Sequence, residues 1–76
     1  MISQAVRHTR EMTIHERLVK LRHAANLTQE ELAEQLGVTQ TCISSWEMGR
    51  SAPKRTRMRE VAKALKVSEA ELAGVK

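Results

Sequence analysis

Apolar residues recur at three- and four-residue spacing in five short blocks, each bounded by residues that start or stop helices. The first block is Ile14, Leu18, Leu21 and Ala25, and Thr13 with Glu16 forms a capping box in front of it. This predicts a helix from about Ile14 to Ala24 with Asn26 as its stop. A second capping box, Thr28 with Glu31, precedes Leu32, Ala33 and Leu36, with Leu27 and Leu32 as a hydrophobic staple and Gly37 placed to end the helix in a left-handed conformation. Thr39 then caps a third helix, Gln40 to Glu47, stapled by Val38 and Ile43. Ile43 and Trp46 lie three apart and face inward, which leaves Gln40, Thr41, Ser44 and Ser45 outward.

Beyond Gly49 the run Arg50-Ser51-Ala52-Pro53 reads as a connection, and Met58, Val61, Ala62 and Leu65 mark a fourth helix ending near Lys66. Its start lacks a good cap. Lys54 or Arg55 stands where Ser or Asp is expected, unless Thr56 caps a shorter helix. A last helix follows from the Val67 and Leu72 staple, the Ser68-x-x-Glu71 box and the Gly74 stop. No strand, repeat or low-complexity segment is visible, so the expected class is all-α, with five short helices around one core over residues 13–76. Met1 to Met12 carries Arg7, His8 and Arg10 without regular apolar spacing. It reads as a flexible basic N-terminal arm, either a frayed terminus or a contact for phosphate or a partner subunit.

Charge changes the picture more than length does. The 76 residues carry 13 Lys and Arg against 9 Asp and Glu, for a net +4 and a pI near 9.8, which suits an anionic partner and equally suits ordinary solubility. The bias is clustered: Arg50, Lys54, Arg55, Arg57, Arg59, Lys63 and Lys66 face Glu60 alone between residues 50 and 66. Cations at the start of the fourth helix oppose its macrodipole, a local conflict that an anion would relieve. The outward positions of the third helix are polar but uncharged, whereas a solvated face with no other duty more often carries Lys and Glu.

One cysteine excludes a disulfide within the chain and fits a reducing compartment. No apolar run approaches the roughly 18 residues of a membrane helix, so a cytoplasmic, membrane-free location is expected. Cys42 has no nearby His or second Cys, and His8, His15 and His23 lack ligand spacing, so neither a nucleophile nor a metal or cofactor site is indicated. An enzyme is excluded for want of a carboxylate cluster, a metal constellation or room for a sizeable pocket.

The residues Leu21-Arg22, Leu27-Thr28-Gln29-Glu30-Glu31-Leu32-Ala33, Gly37-Val38-Thr39-Gln40, Ile43-Ser44, Trp46-Glu47, Gly49, Pro53, Val61-Ala62, Ala64-Leu65, Val67-Ser68 and Leu72 resemble the Cro/CI, or phage-repressor-like (XRE), helix-turn-helix family. The resemblance covers about Ile14 to Leu72 and implies a compact five-helix, lambda-repressor-like DNA-binding domain. It departs at Met58, where Leu is usual, and at Lys54, where a capping Ser is common.

By the family pattern, Gln29 would hydrogen-bond a phosphate, Gln40 would read an adenine edge, and Thr41, Ser44 and Ser45 would fall at the other base-facing positions. Arg50, Lys54 and Arg55 are further phosphate candidates, while Arg22 and Glu47 resemble an ion pair tying the first helix to the end of the third, and Ile43 and Trp46 serve packing. The implied function is a transcriptional regulator, a repressor among the family's roles, binding an inverted-repeat operator in double-stranded DNA as a homodimer. The loop from Arg50 to Pro53 and the Met58-to-Lys66 region are the candidate dimer surfaces. The alternative is an antitoxin or other protein-interaction module that uses the same fold with a regulatory protein partner.

Overall fold

The computed structural model describes residues 13–74, so the expected N-terminal arm lies outside the described residues. Five helices follow in order: α1 (Ile14–Ala24), α2 (Gln29–Leu36), α3 (Gln40–Glu47), α4 (Arg55–Leu65) and α5 (Glu69–Ala73). Each contributes one wholly buried side chain to a common centre, namely Leu18, Leu32, Ile43, Val61 and Leu72 in chain order. Burying a Val, Leu or Ile side chain contributes about 1.5–3 kcal/mol, so the core is shared among all five helices. The helices pack as α1 on α3 and α5, α2 on α3 and α4, and α4 on α5.

The local chemistry that starts these helices is largely as the sequence predicts. Thr13 and Thr28 both form complete capping boxes: each hydroxyl accepts from the N–H three residues on, and Glu16 and Glu31 accept from the Thr13 and Thr28 N–H groups at 3.0 and 2.9 Å. The third box is only half formed. Ser68 Oγ accepts from the Glu71 N–H at 2.9 Å, but the Glu71 carboxylate makes no return bond. Thr56 does not cap α4, which begins at Arg55 behind Lys54, a residue without a side-chain cap bond.

Helix ends use the left-handed region repeatedly. Gly37, at φ +72°, closes α2, and the Val38 N–H then reaches back to the Ala33 carbonyl at 3.0 Å. Asn26 stops α1 just past its cap at φ +59°, as expected. Lys66 ends α4 in the same region, at φ +62°, where a Cβ is unfavourable and glycine is not.

Two stability outcomes follow from these ends. Lys66→Gly removes the Cβ penalty and is expected to stabilise the domain by about 1 kcal/mol, a rise in Tm of roughly 4–8 °C in calorimetry. At the start of α1, the backbone N–H of Thr13, and then its hydroxyl, hold the Glu16 carboxyl below its usual pKa. A carboxylate with a depressed folded pKa stabilises the fold above its unfolded value and loses that contribution as pH falls through the folded value. A carbon-13 NMR titration is therefore expected to place Glu16 below the ordinary glutamate range and to return it upward in Thr13→Ala.

Candidate nucleic-acid interface

The turn from Gly37 to Thr39 presents α3 to the outside. Thr39 caps it, its hydroxyl accepting from the Cys42 N–H at 3.1 Å, and Ile43 and Trp46 anchor its inner face in the core. Gln40 and Thr41 are exposed at its first turn; Ser44 and Ser45 are half-buried, so only the start of the polar face projects freely. Ser45 turns toward the following loop, where its hydroxyl accepts from Ser51 Oγ at 3.2 Å.

Beneath this face lies the expected ion pair. Arg22 Nε and Nη2 donate to Glu47 Oε2 and Oε1 at 2.5 and 3.1 Å, and the two side chains are 10% and 6% exposed, so the pair is desolvated. Arg22 Nη1 donates to the Leu27 carbonyl at 2.8 Å, and Nη2 lies 3.2 Å from His23 Nε2.

Glu47 is also the end of a polar chain that reaches the surface. Gln29 Nε2 donates to Glu47 Oε1 at 2.8 Å, and Gln40 Nε2 donates to Gln29 Oε1 at 3.1 Å. An ionised carboxylate accepts only, so it sets the direction of every amide after it. Gln29 must turn its NH2 inward and its carbonyl outward, and Gln40 must give one N–H to that carbonyl. Gln40 therefore keeps one N–H and its Oε1 for whatever lies above α3. Sequence reading places Gln29 and Gln40 separately; the fold joins them.

Five cations of the basic run fall into two groups. Arg57 Nη1 donates to the Leu36 carbonyl at 3.1 Å and to Glu60 at 2.8 Å, tying α4 to the end of α2, and Arg59 pairs with Glu69 at 3.1 Å. Arg50, Lys54 and Arg55 are exposed around the loop that follows α3, and no hydrogen bond or ion pair engages their side chains among the described residues. Gly49 sits at φ +81° with the His15 ring packed where a Cβ would be, 3.2 Å from Nε2, so α1 holds the end of α3 from a second side. Nothing in the spacing of His15 signals this contact 34 positions away.

No group of three or more His, Cys, Asp or Glu is placed to hold a metal ion among the described residues, and no helix there is long and apolar enough to cross a membrane. Cys42 packs half-buried against the core.

Residues 18–72 match the helix-turn-helix family model. The chain belongs to the helix-turn-helix family. That membership agrees with the Cro/CI-like resemblance, and the five-helix architecture agrees with its repressor-like fold. Among similar helix-turn-helix proteins, the transcriptional activator BcrR of Enterococcus faecalis is 44% identical over 61 residues, covering 80% of this chain and 30% of BcrR. The transcriptional repressor RstR of the cryptic phage CTXphi of Vibrio cholerae is 36% identical over 63 residues, covering 83% of this chain and 56% of RstR. The chain thus spans about a third and about half of the lengths of these relatives.

Two solved helix-turn-helix structures extend the comparison. The P22 c2 repressor in complex with synthetic operator 9T matches with a TM-score of 0.78 at 26% identity, covering 87% of this chain and 100% of that one. The restriction-modification controller protein C.AhdI of Aeromonas hydrophila matches with a TM-score of 0.73 at 30% identity, covering 78% and 89%.

Removing the carboxylate at the base of the polar chain is expected to be costly. Glu47→Ala leaves the Arg22 guanidinium buried without its counter-charge, which typically destabilises by about 3–5 kcal/mol. Urea unfolding should show a lower midpoint at an unchanged m-value.

Proposed function

We propose that this helix-turn-helix domain is a sequence-specific, double-stranded DNA-binding transcriptional regulator that reads a short inverted-repeat operator as a homodimer. The observation that carries this reading is the oriented amide of Gln40 at the exposed start of α3, held through Gln29 to the buried Glu47 carboxylate. The remaining N–H and Oε1 of Gln40 match the N7 acceptor and N6 donor that adenine displays in the major groove. Thr41 is the neighbouring exposed base-facing group, and Ser44 and Ser45 add the part of their half-buried hydroxyl face that Met48 and Ser51 leave open. Arg50, Lys54 and Arg55 are phosphate contacts, as is Gln29, which has for this the amide N–H that Glu47 does not take and its backbone N–H in the first turn of α2.

Three kinds of support converge. A recognition helix placed by a capped turn is the geometry of major-groove docking. Relatives include an activator and a repressor of transcription, and a similar solved chain is a repressor bound to operator DNA. A single α3 reads only a few base pairs, so two copies on half-sites about one helical turn apart, roughly 34 Å, provide useful specificity. Phosphate contacts supply affinity that falls with salt, while the Gln40 contact supplies about 1–3 kcal/mol of base discrimination.

Selection of bound sequences from a random duplex pool by the purified chain at roughly physiological salt tests this directly. The wild-type protein is expected to recover an inverted repeat, and Gln40→Ala to lose preference at one position in each half-site while keeping the salt dependence. If no motif emerges and Gln40→Ala binds with the same salt-sensitive affinity, base readout by α3 is wrong and the domain is better read as a protein-interaction module, such as an antitoxin.

A further inference from the structure

We propose that Met48 is a specificity-determining residue of the same DNA-reading face, its thioether contacting the C5-methyl group of a pyrimidine in the major groove. The inference rests on the reading of α3 as the recognition helix. Met48 is the one large hydrophobic side chain left exposed among the described residues, at 61%. A single exposed apolar residue is ordinary in itself. Its place on the helix sets it apart.

Gln40, Ser44 and Met48 follow one another at four-residue intervals, and Met48 still keeps helical dihedrals at the α3 cap, φ −87° and ψ −2°. Steps of four residues turn the helix by about 40° beyond a full circle and advance it by about 6 Å, so the three side chains form one stripe that winds by about 80° over about 12 Å. The Met48 side chain lies back along that stripe: Ser44 Oγ donates to its Sδ at 3.7 Å. The thioether is therefore held beside the half-buried Ser44 hydroxyl on the exposed side of the helix.

The stripe then offers three different chemistries in order: the Gln40 amide, the Ser44 hydroxyl and the Met48 thioether methyl. Base edges in the major groove display donors, acceptors and one apolar mark, the C5-methyl of thymine. Cytosine methylated at C5 would show the same group. A hydroxyl and an amide read the polar marks, and a flexible, polarisable thioether suits the apolar one. Thymine is the occupant proposed here, because it supplies the methyl without prior modification of the DNA.

The test uses the operator recovered by the full chain, with each thymine of one half-site replaced in turn by deoxyuridine, which deletes only the methyl. Wild type, Met48→Ala and Met48→Leu are compared by equilibrium binding; because Met48 is outside the core, thermal melting of the three should agree. In the wild type, one thymine-to-uridine change is expected to weaken binding about fourfold, the worth of one buried methyl. The penalty should vanish in Met48→Ala and persist in Met48→Leu.

Repeating the selection on a pool containing 5-methylcytosine separates the two methyl sources. Recovery of the same thymine motif from both pools supports thymine, whereas a new cytosine-containing motif from the methylated pool overturns that assignment. Uridine penalties identical in wild type and Met48→Ala overturn the role of Met48 while leaving Gln40 as a base reader. The same pattern accompanied by altered sedimentation of Met48→Ala would assign the side chain to a protein contact and overturn it likewise. Absence of any motif with the wild-type protein overturns both this inference and the reading of α3.

Discussion

The paired charges of Arg22 and Glu47 are the constraint on which the rest of this surface depends. Desolvating two ions costs free energy that their attraction does not dependably return, and an apolar pair of the same shape often serves stability as well. What an apolar pair cannot do is impose direction. Arg22 spends its donors on Glu47 and on the Leu27 carbonyl, so it binds the end of α3 and the connection leading into α2 with one rigid fork. The α1, α2 and α3 axes are thereby referred to a single guanidinium plane.

Direction then passes outward through amides. Glu47 accepts only, Gln29 turns accordingly, and Gln40 is left with a defined donor and acceptor at the surface. No buried side-chain nitrogen or oxygen lacks a partner among the described residues, so the network is complete beneath the surface. Such completeness matters because a half-satisfied buried network is costly and poorly ordered. His15 against Gly49 and Thr39 at the helix cap hold α3 at its two ends, so the polar face is positioned by packing, capping and charge together.

The cationic run illustrates how far a sequence count can be from a surface. Seven Lys and Arg between residues 50 and 66 read as one patch. In the fold Arg57 serves the open carbonyl end of α2 and Arg59 reaches Glu69 near the start of α5. Arg50, Lys54 and Arg55, between the end of α3 and the start of α4, are left unengaged, and Lys63 and Lys66 lie in or beyond the last turn of α4.

Helix boundaries, most caps and the inward residues were legible from the chain alone, because they depend on partners within five positions, Thr28 with Glu31 and Val38 with Ile43, or on a single residue such as Gly37 at a positive φ. Even the Arg22–Glu47 pair could be anticipated, though through family resemblance and not through spacing. The amide chain, the Arg57 tether, the His15 packing and the Met48–Ser44 contact were beyond that reach, since their partners meet only when helices cross or when one rotamer is chosen among several. Local hydrogen bonding and hydrophobic periodicity determined which residues became helices and which faces turned inward. Long-range side-chain directions belong to the tertiary structure, because the energy of a buried donor depends on where another helix places its acceptor.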